Sequence, residues 1–197
     1  MSLGFYFNER ACSGCRACQT ACKDRNDLLV GQLYRRVTTF QTGAYPNATM
    51  YHYSATCNHC EKPACFAACP TGAMQKCEDG TVQHDDEACI GCQACVEACP
   101  YEVPVYLEDK KISGKCDACK PFRDRGLNPV CVDACNMRAL EFGDLDELRA
   151  KHEGEGSLVG QLTGDLPVLP SSEQTGPNVL INPKPAALNE EFKLVIL

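Results

Sequence analysis

The stretch Cys89-Ile90-Gly91-Cys92-Gln93-Ala94-Cys95-Val96-Glu97-Ala98-Cys99-Pro100 sets out a C-x2-C-x2-C-x3-C rhythm closed by proline. The same rhythm occurs at Cys12, Cys15, Cys18 and Cys22. Cys57, Cys60, Cys65 and Cys69 give C-x2-C-x4-C-x3-C, again followed by a proline, Pro70. Cys116, Cys119, Cys131 and Cys135 give C-x2-C-x11-C-x3-C. Of the 17 cysteines in 197 residues, only Cys77 lies outside these four groups.

Three chemistries compete for such groups. Disulfides suit small secreted chains, but the cysteine count is odd, and bridges within C-x2-C close loops too small to remove much chain entropy. Residues 1–10 lack the basic and apolar regions of a secretory signal. Zinc accepts four cysteines, and the fourth group alone could serve as a zinc ribbon. The x2, x2, x3 spacing ending in Cys-Pro is that of [4Fe–4S] clusters in bacterial ferredoxins. There, three thiolates hold three corners of a cube and the fourth cysteine reaches the neighbouring cluster. Iron–sulfur is the reading the spacing favours.

That rule sets an expected pairing. The second and third groups are neighbours and each ends in Cys-Pro, so they form one two-cluster unit. Its sets are Cys57, Cys60, Cys65 with Cys99, and Cys89, Cys92, Cys95 with Cys69. By exclusion the first and fourth groups form the other unit, with Cys12, Cys15, Cys18 and Cys135 in one set and Cys22, Cys116, Cys119 and Cys131 in the other. The expected fold is α+β. It consists of two nested ferredoxin-like units, each binding two [4Fe–4S] clusters, with an irregular extended C-terminal arm. Residues 1–30 and 105–153 make the outer unit, 31–56 a β-rich insertion, 57–104 the inner unit and 154–197 the arm.

Composition agrees with metal staples. The 44% hydrophobic fraction is inflated by cysteine and there is no Trp, so the apolar core is thin for this length. A net charge of −7 argues against a general nucleic-acid binder. No apolar run approaches the ~20 residues of a membrane helix. Four clusters, each 2− with its thiolates, would bring the oxidised protein to about −15.

Between the groups, 3–8 reads as a strand and 18–29 as a short helix carrying Cys22. The insertion has β character at Tyr34, Val37, Tyr51 and Tyr53, with a turn at 43–47. Asp79-Gly80 predicts a hairpin within 73–83. Residues 136–142 lead into a strand, and a helix follows at 144–152 with Asp144 as N-cap. After Gly154 the sequence has five prolines and no cysteine. Its apolar pieces at 179–181 and 194–197 are expected to lie on a partner.

Beyond the cysteines, several stretches carry a resemblance. They are Asn58-His59 with Pro63, Ile90-Gly91, Pro100-Tyr101, Arg138-Ala139-Leu140-Glu141-Phe142-Gly143, Asp146-Glu147-Leu148 and Pro177-Asn178-Val179-Leu180-Ile181. Over residues 3–185 the chain resembles the four-cluster electron-transfer subunits of bacterial molybdopterin oxidoreductases, most closely those of the dimethyl sulfoxide reductase type. Asn136 stands where close relatives often have proline, and the 31–56 loop is short. The resemblance implies a non-catalytic relay of single electrons through four clusters. Its partners would be a molybdopterin catalytic subunit and either a quinol-oxidising membrane subunit or a soluble donor. A relay for formate dehydrogenase or hydrogenase is the alternative. The protein would be cytoplasmic, or would lie on the extracytoplasmic face of the membrane if exported with its partner.

Other residues are read more plainly. His59 is expected to pack behind the ligands, and His52, His84 and His152 to be surface or packing groups. Cys77 is expected to be a buried free thiol, and Tyr101 and Phe66 to shield clusters from water. Arg16, Lys23, Arg25, Lys62, Lys76, Lys115 and Lys120 flank the groups, where positive charge would raise a cluster's potential. No paired catalytic carboxylates, phosphate loop or Ser-His-Asp set stands out.

Overall fold

A computed structural model of the protein describes residues 2–153 and 162–195. In sequence order the elements are β1 (Leu3–Asn8), α1 (Ala17–Arg25), β2 (Arg36–Thr42), β3 (Thr49–Ala55), α2 (Ala64–Ala67), β4 (Met74–Lys76), β5 (Val82–His84) and α3 (Ala94–Ala98). Then come β6 (Val105–Leu107), β7 (Ile112–Gly114), α4 (Lys120–Arg123), α5 (Val130–Asp133), β8 (Leu140–Asp144), α6 (Leu145–His152), β9 (Val179–Asn182) and β10 (Phe192–Val195). The architecture is a mixture of short helices and four small sheets.

The central sheet has the order β8-β1-β9, with β8 antiparallel and β9 parallel to β1. Both of its faces are covered, so β1 is apolar without alternation. Phe5 and Phe7 enter the main core with Leu140, Val179 and Ile181. Tyr6 and Leu180 turn the other way and meet Leu145 and Leu148 of α6. The α6 helix starts as its sequence predicts. Asp144 accepts from the backbone N–H groups of Asp146 (3.0 Å) and Glu147 (3.2 Å), satisfying two donors that the helix leaves unpaired.

The insertion forms a second sheet, β10-β2-β3, with Phe40 opposite Tyr51 across β2 and β3. The Asp79-Gly80 hairpin is also present as β4-β5. Asp79 Oδ1 accepts from the Thr81 backbone N–H at 2.9 Å and from its hydroxyl at 2.7 Å, which closes the turn. The helix α1 is shorter than the expected 18–29. Asn26 folds back to donate to the Cys22 carbonyl at 2.7 Å, and Asp27 takes a left-handed φ of 54°, so the backbone leaves the helix there.

The C-terminal segment corrects the sequence reading most. Residues 179–181, expected to lie on a partner, form β9 inside the protein's own sheet, with Ile181 wholly buried. Residues 192–195 form β10 on the edge of the insertion sheet, where Leu194 stays exposed. Two short 3-10 turns at Ser172–Gln174 and Pro185–Leu188 complete this ordered part. The beginning of the expected arm, 154–161, and residues 196–197 of its second apolar piece lie outside the described residues. Two side chains also differ from expectation. Cys77 is only half-buried, because it sits in the hairpin turn rather than in a strand. Phe66 is 47% exposed on α2, so it does not shield a buried site.

Candidate metal centres

One backbone turn recurs in all four cysteine groups. The residue just before the second cysteine is left-handed each time: Gly14 (φ 70°), His59 (φ 46°), Gly91 (φ 68°) and Ala118 (φ 50°). Glycine meets this demand without strain, whereas His59 and Ala118 meet it at a cost of order 1 kcal/mol or more. At Gly91 space makes a second demand, because an added Cβ would collide with the Lys111 carbonyl oxygen. Such turns direct successive N–H groups inward and form concavities that suit anions. The Ala118 N–H reaches Cys116 Sγ at 3.3 Å, and the Ala139 N–H reaches Cys135 Sγ at 3.2 Å.

The short helices bring distant groups together. The helix α1, carrying Cys18 and Cys22, packs on α5, which carries Cys131, while α2 and α3 pack through the segments of Cys65 and Cys95. Cys12, Cys15, Cys18 and Cys135 line one cavity, walled by Phe7, Val37 and Leu140. Cys57, Cys60, Cys65 and Cys99 line another, walled by Val82, Tyr101 and Val103. Tyr101 therefore sits where a shield was expected. The thiols that act electrostatically on Cys22 are Cys116, Cys131 and Cys119. Those that act on Cys95 are Cys89 and Cys69, while Cys92 is exposed on the turn before α3. Cys116 also feels Cys57, so the two pairs of groups meet there.

The donor chemistry fits iron–sulfur clusters. Burial pushes the thiol of Cys60 up to about 11, Cys65 to about 12 and Cys119 to about 11. Bare thiols there would hold their protons at neutral pH, so thiolates require positive charge between them, which iron supplies. Cys69 goes the other way. Burial raises its thiol, but hydrogen bonds from Met74, Thr71 and Ala73 together outweigh it and hold the group below its ordinary range. Among the described residues, no three His, Cys, Asp or Glu side chains converge tightly enough for a single ion. Two of the four sets of thiols instead line cavities.

The surrounding side chains divide into those that face the thiols and those that do not. Lys76 Nζ donates to the carbonyls of His59 (3.2 Å), Cys60 (2.7 Å) and Gly80 (2.6 Å), tying the second group to the hairpin. Buried Lys115 donates to the carbonyls of Val82 and Cys116. Arg25 pairs with Asp117 through two hydrogen bonds of 2.9 and 2.8 Å beside the fourth group. Lys120 is an ordinary surface cation paired with Asp124, and Lys23 donates to the Leu28 carbonyl in the loop beyond α1. His59 packs behind the ligands, wholly buried, with Nδ1 accepting from the Val82 N–H at 3.0 Å. His152 stacks on Tyr6 and is also held by Glu141, while His84 pairs with Asp86. His52 closes on Gly14, where an added Cβ would lie 2.6 Å from its ring. Sequence reasoning missed Arg35. It opens the insertion beside Arg36, and nothing in the local pattern separates the buried arginine from the exposed one.

Comparison with known proteins gives concordant results. A family described as "4Fe-4S dicluster domain" matches residues 48–145, and one described as "4Fe-4S binding domain" matches 10–31. The sequence is 43% identical over 188 residues to one of the chains of the anaerobic dimethyl sulfoxide reductase of Escherichia coli strain K12, covering 91% of this protein and 88% of that one. It is 40% identical over 144 residues to the thiosulfate reductase electron transfer subunit PhsB of Salmonella typhi, covering 71% and 74%. It is 36% identical over 167 residues to one of the subunits of the sulfite dehydrogenase of Allochromatium vinosum, covering 74% and 70%.

Proposed function

The protein belongs to the family of iron–sulfur electron-transfer subunits found in anaerobic dimethyl sulfoxide reductase and its relatives, and from that premise we propose that it relays single electrons through four [4Fe–4S] clusters to a molybdopterin-containing catalytic subunit. Its donor is a quinol-oxidising membrane subunit or a soluble reductant. Among the described residues no helix is long and apolar enough to cross a membrane. Its compartment is the partner's, cytoplasmic or, after joint export, extracytoplasmic.

The proposed ligand sets are Cys12, Cys15, Cys18, Cys135; Cys22, Cys116, Cys119, Cys131; Cys57, Cys60, Cys65, Cys99; and Cys69, Cys89, Cys92, Cys95. The observation that carries this reading is the company each thiol keeps: Cys135 lines the cavity of the first group, and Cys22 lies among the thiols of the fourth. The outer unit (1–30 and 105–153) and the inner unit (57–104) are supported by the packing of α1 on α5 and of α2 on α3. The proximity of Cys116 to Cys57 supports a single row in the order just given. Of 154–197, a partner-facing role is retained only for the exposed edge around β10.

Held by these four sets of cysteines, the clusters would supply one-electron transfer with no bond made to substrate. The protein's own residues fix the geometry. Cysteines on short helices hold the sites rigidly, N–H groups of the recurring turns point at sulfur, and apolar walls such as Phe7, Val82 and Val103 keep water out. Anaerobically purified protein is expected to hold about 16 iron and 16 acid-labile sulfide per molecule. Half that iron with stoichiometric zinc would overturn the four-cluster reading. Cys22→Ser and Cys119→Ser are expected to remove the same EPR signal, whereas different losses would refute the shared set.

A further inference from the structure

Arg35 is the bulkiest of the fully buried side chains and the only arginine among them, at 2% exposure. Its Nη1 donates to the Ser54 carbonyl at 3.2 Å and to Ser54 Oγ at 2.9 Å. Its Nε and Nη2, also buried, have no hydrogen-bond partner. One face of the guanidinium lies against the Phe5 ring, 4.8 Å from its centroid. Among the described residues no carboxylate pairs with it. The acidic groups that act on it most are thiols, Cys131, Cys18, Cys116 and Cys22, with the Tyr53 phenol also coupled to it.

A buried cation without a counter-charge is strongly destabilising, and arginine cannot escape by losing its proton. The required negative charge must therefore come from the thiols, which carry it only when iron binds them. Cys18 belongs to the first proposed set, and Cys22, Cys116 and Cys131 to the second. We infer that Arg35 is a fixed positive charge between the two metal sites of the outer unit, there to balance their charge and to raise their reduction potentials. On one-electron reduction by the upstream donor, a four-thiolate cluster site passes from 2− to 3− with no proton or bond exchanged. A neighbouring cation favours the more negative state, so it pulls electrons toward the outer pair. A planar guanidinium suits the position better than an ammonium, because it can offer N–H groups toward both sites while stacking on Phe5.

This inference rests on the proposed ligand sets, and the wild-type iron and sulfide count tests those separately. Arg35→Gln and Arg35→Lys are made in the full-length protein and purified anaerobically. Iron is counted, and each cluster is titrated potentiometrically by EPR, with the two outer-unit signals assigned from Cys22→Ser and Cys12→Ser. Arg35→Gln is expected to make reduction of at least one outer cluster tenfold or more less favourable, a shift of ~59 mV per tenfold for a one-electron couple. Inner-unit clusters are expected to titrate as in the wild type. Arg35→Lys, which keeps the charge but loses the fork, is expected to stay within about threefold of wild type. Failure of Arg35→Gln alone to fill the outer sites would also support a charge role. The inference is overturned if Arg35→Gln is filled and titrates as wild type. It is equally overturned if the two variants shift together, or if Arg35→Lys loses the outer clusters, because shape and not charge would then be the requirement.

Discussion

At the scale of single residues, charge in the interior is the least expected feature of this protein. Glu9 is wholly buried; Oε2 accepts from the Lys184 N–H at 2.9 Å, while Oε1 has no partner. Burial pushes its carboxyl up from 4.5 to about 7, partly offset by the Lys184 N–H and charge. Between those values the folded protein binds a proton that the unfolded state does not. Glu9 therefore supports the fold fully below about pH 4.5, loses this contribution as pH rises to about 7, and leaves a constant penalty above. Glu9→Gln removes that dependence. It is expected to match wild type near pH 4 and to exceed it by up to about 3 kcal/mol at pH 8. Urea midpoints of the anaerobic holoprotein across that range check this, and parallel pH profiles for the two proteins would refute it. Neither Glu9 nor Arg35 was legible in the sequence, because their burial is decided by strands that arrive from residue 54, residue 182 and beyond. The sixteen grouped cysteines stand out in the sequence as proposed ligands, because cluster chemistry would fix their spacing whatever the surrounding fold. The left-handed turn was half legible, in Gly14 and Gly91, and hidden under His59 and Ala118.

At the scale of elements, one hairpin and one cap follow local chemistry and are legible in the sequence, whereas the β6-β7 hairpin is not. Asp79-Gly80 turns, and Asp144 caps α6. The strand β9 was not read, for a physical reason. Val179-Leu180-Ile181 is buried on both faces, so it has no polar alternation, and Pro177 and Pro183 on either side resemble linker punctuation. Only β1, some 170 residues earlier in the sequence, makes it a strand. Its consequences reach the candidate metal sites. The Asn178 backbone N–H donates to the Asn58 carbonyl at 2.9 Å, and its side chain donates to the His59 carbonyl at 2.8 Å, directly behind Cys57 and Cys60. Truncation after Gly154 therefore strips an edge from the central sheet and the backing from the second cysteine group. Burial of Leu180 and Ile181 alone is worth about 1.5–3 kcal/mol each. The truncated protein is expected to recover less iron than full-length protein and to lose colour at lower urea. Truncation after Asn189, which spares β9 and removes only β10, is expected to keep its iron. Full iron in the shorter of the two truncated proteins would show that the sheet and the clusters are independent.

At the scale of the whole molecule, the proposed nesting of one unit in the other rests on the order of the cysteine groups, by exclusion, and that order says nothing of how the sites are arranged in space. Sequence neighbours give no hint that the fourth group lies against the second. Cys116 feels the charge of Cys57, and Arg35 acts on Cys18 as well as on Cys131, Cys116 and Cys22. The proposed row therefore places the set of Cys22, Cys116, Cys119 and Cys131 second, between the set of Cys12 and the set of Cys57, with the set of Cys89 at the far end. A row has a magnetic consequence. Reduced clusters carry unpaired spins, and adjacent spins broaden one another while distant ones do not. Removal of the second site by Cys119→Ser is thus expected to sharpen the EPR lines of two of the three remaining clusters in the fully reduced protein. The cluster of Cys69, Cys89, Cys92 and Cys95 should keep its line shape, because its only neighbour in the row, the set of Cys57, is still present. Cys92→Ser, at the far end, should sharpen one signal only. Sharpening of all three remaining signals by Cys119→Ser would mean a compact cluster of sites rather than a row. An electron entering at one end would then have no single path to the other, and the relay would need a different geometry.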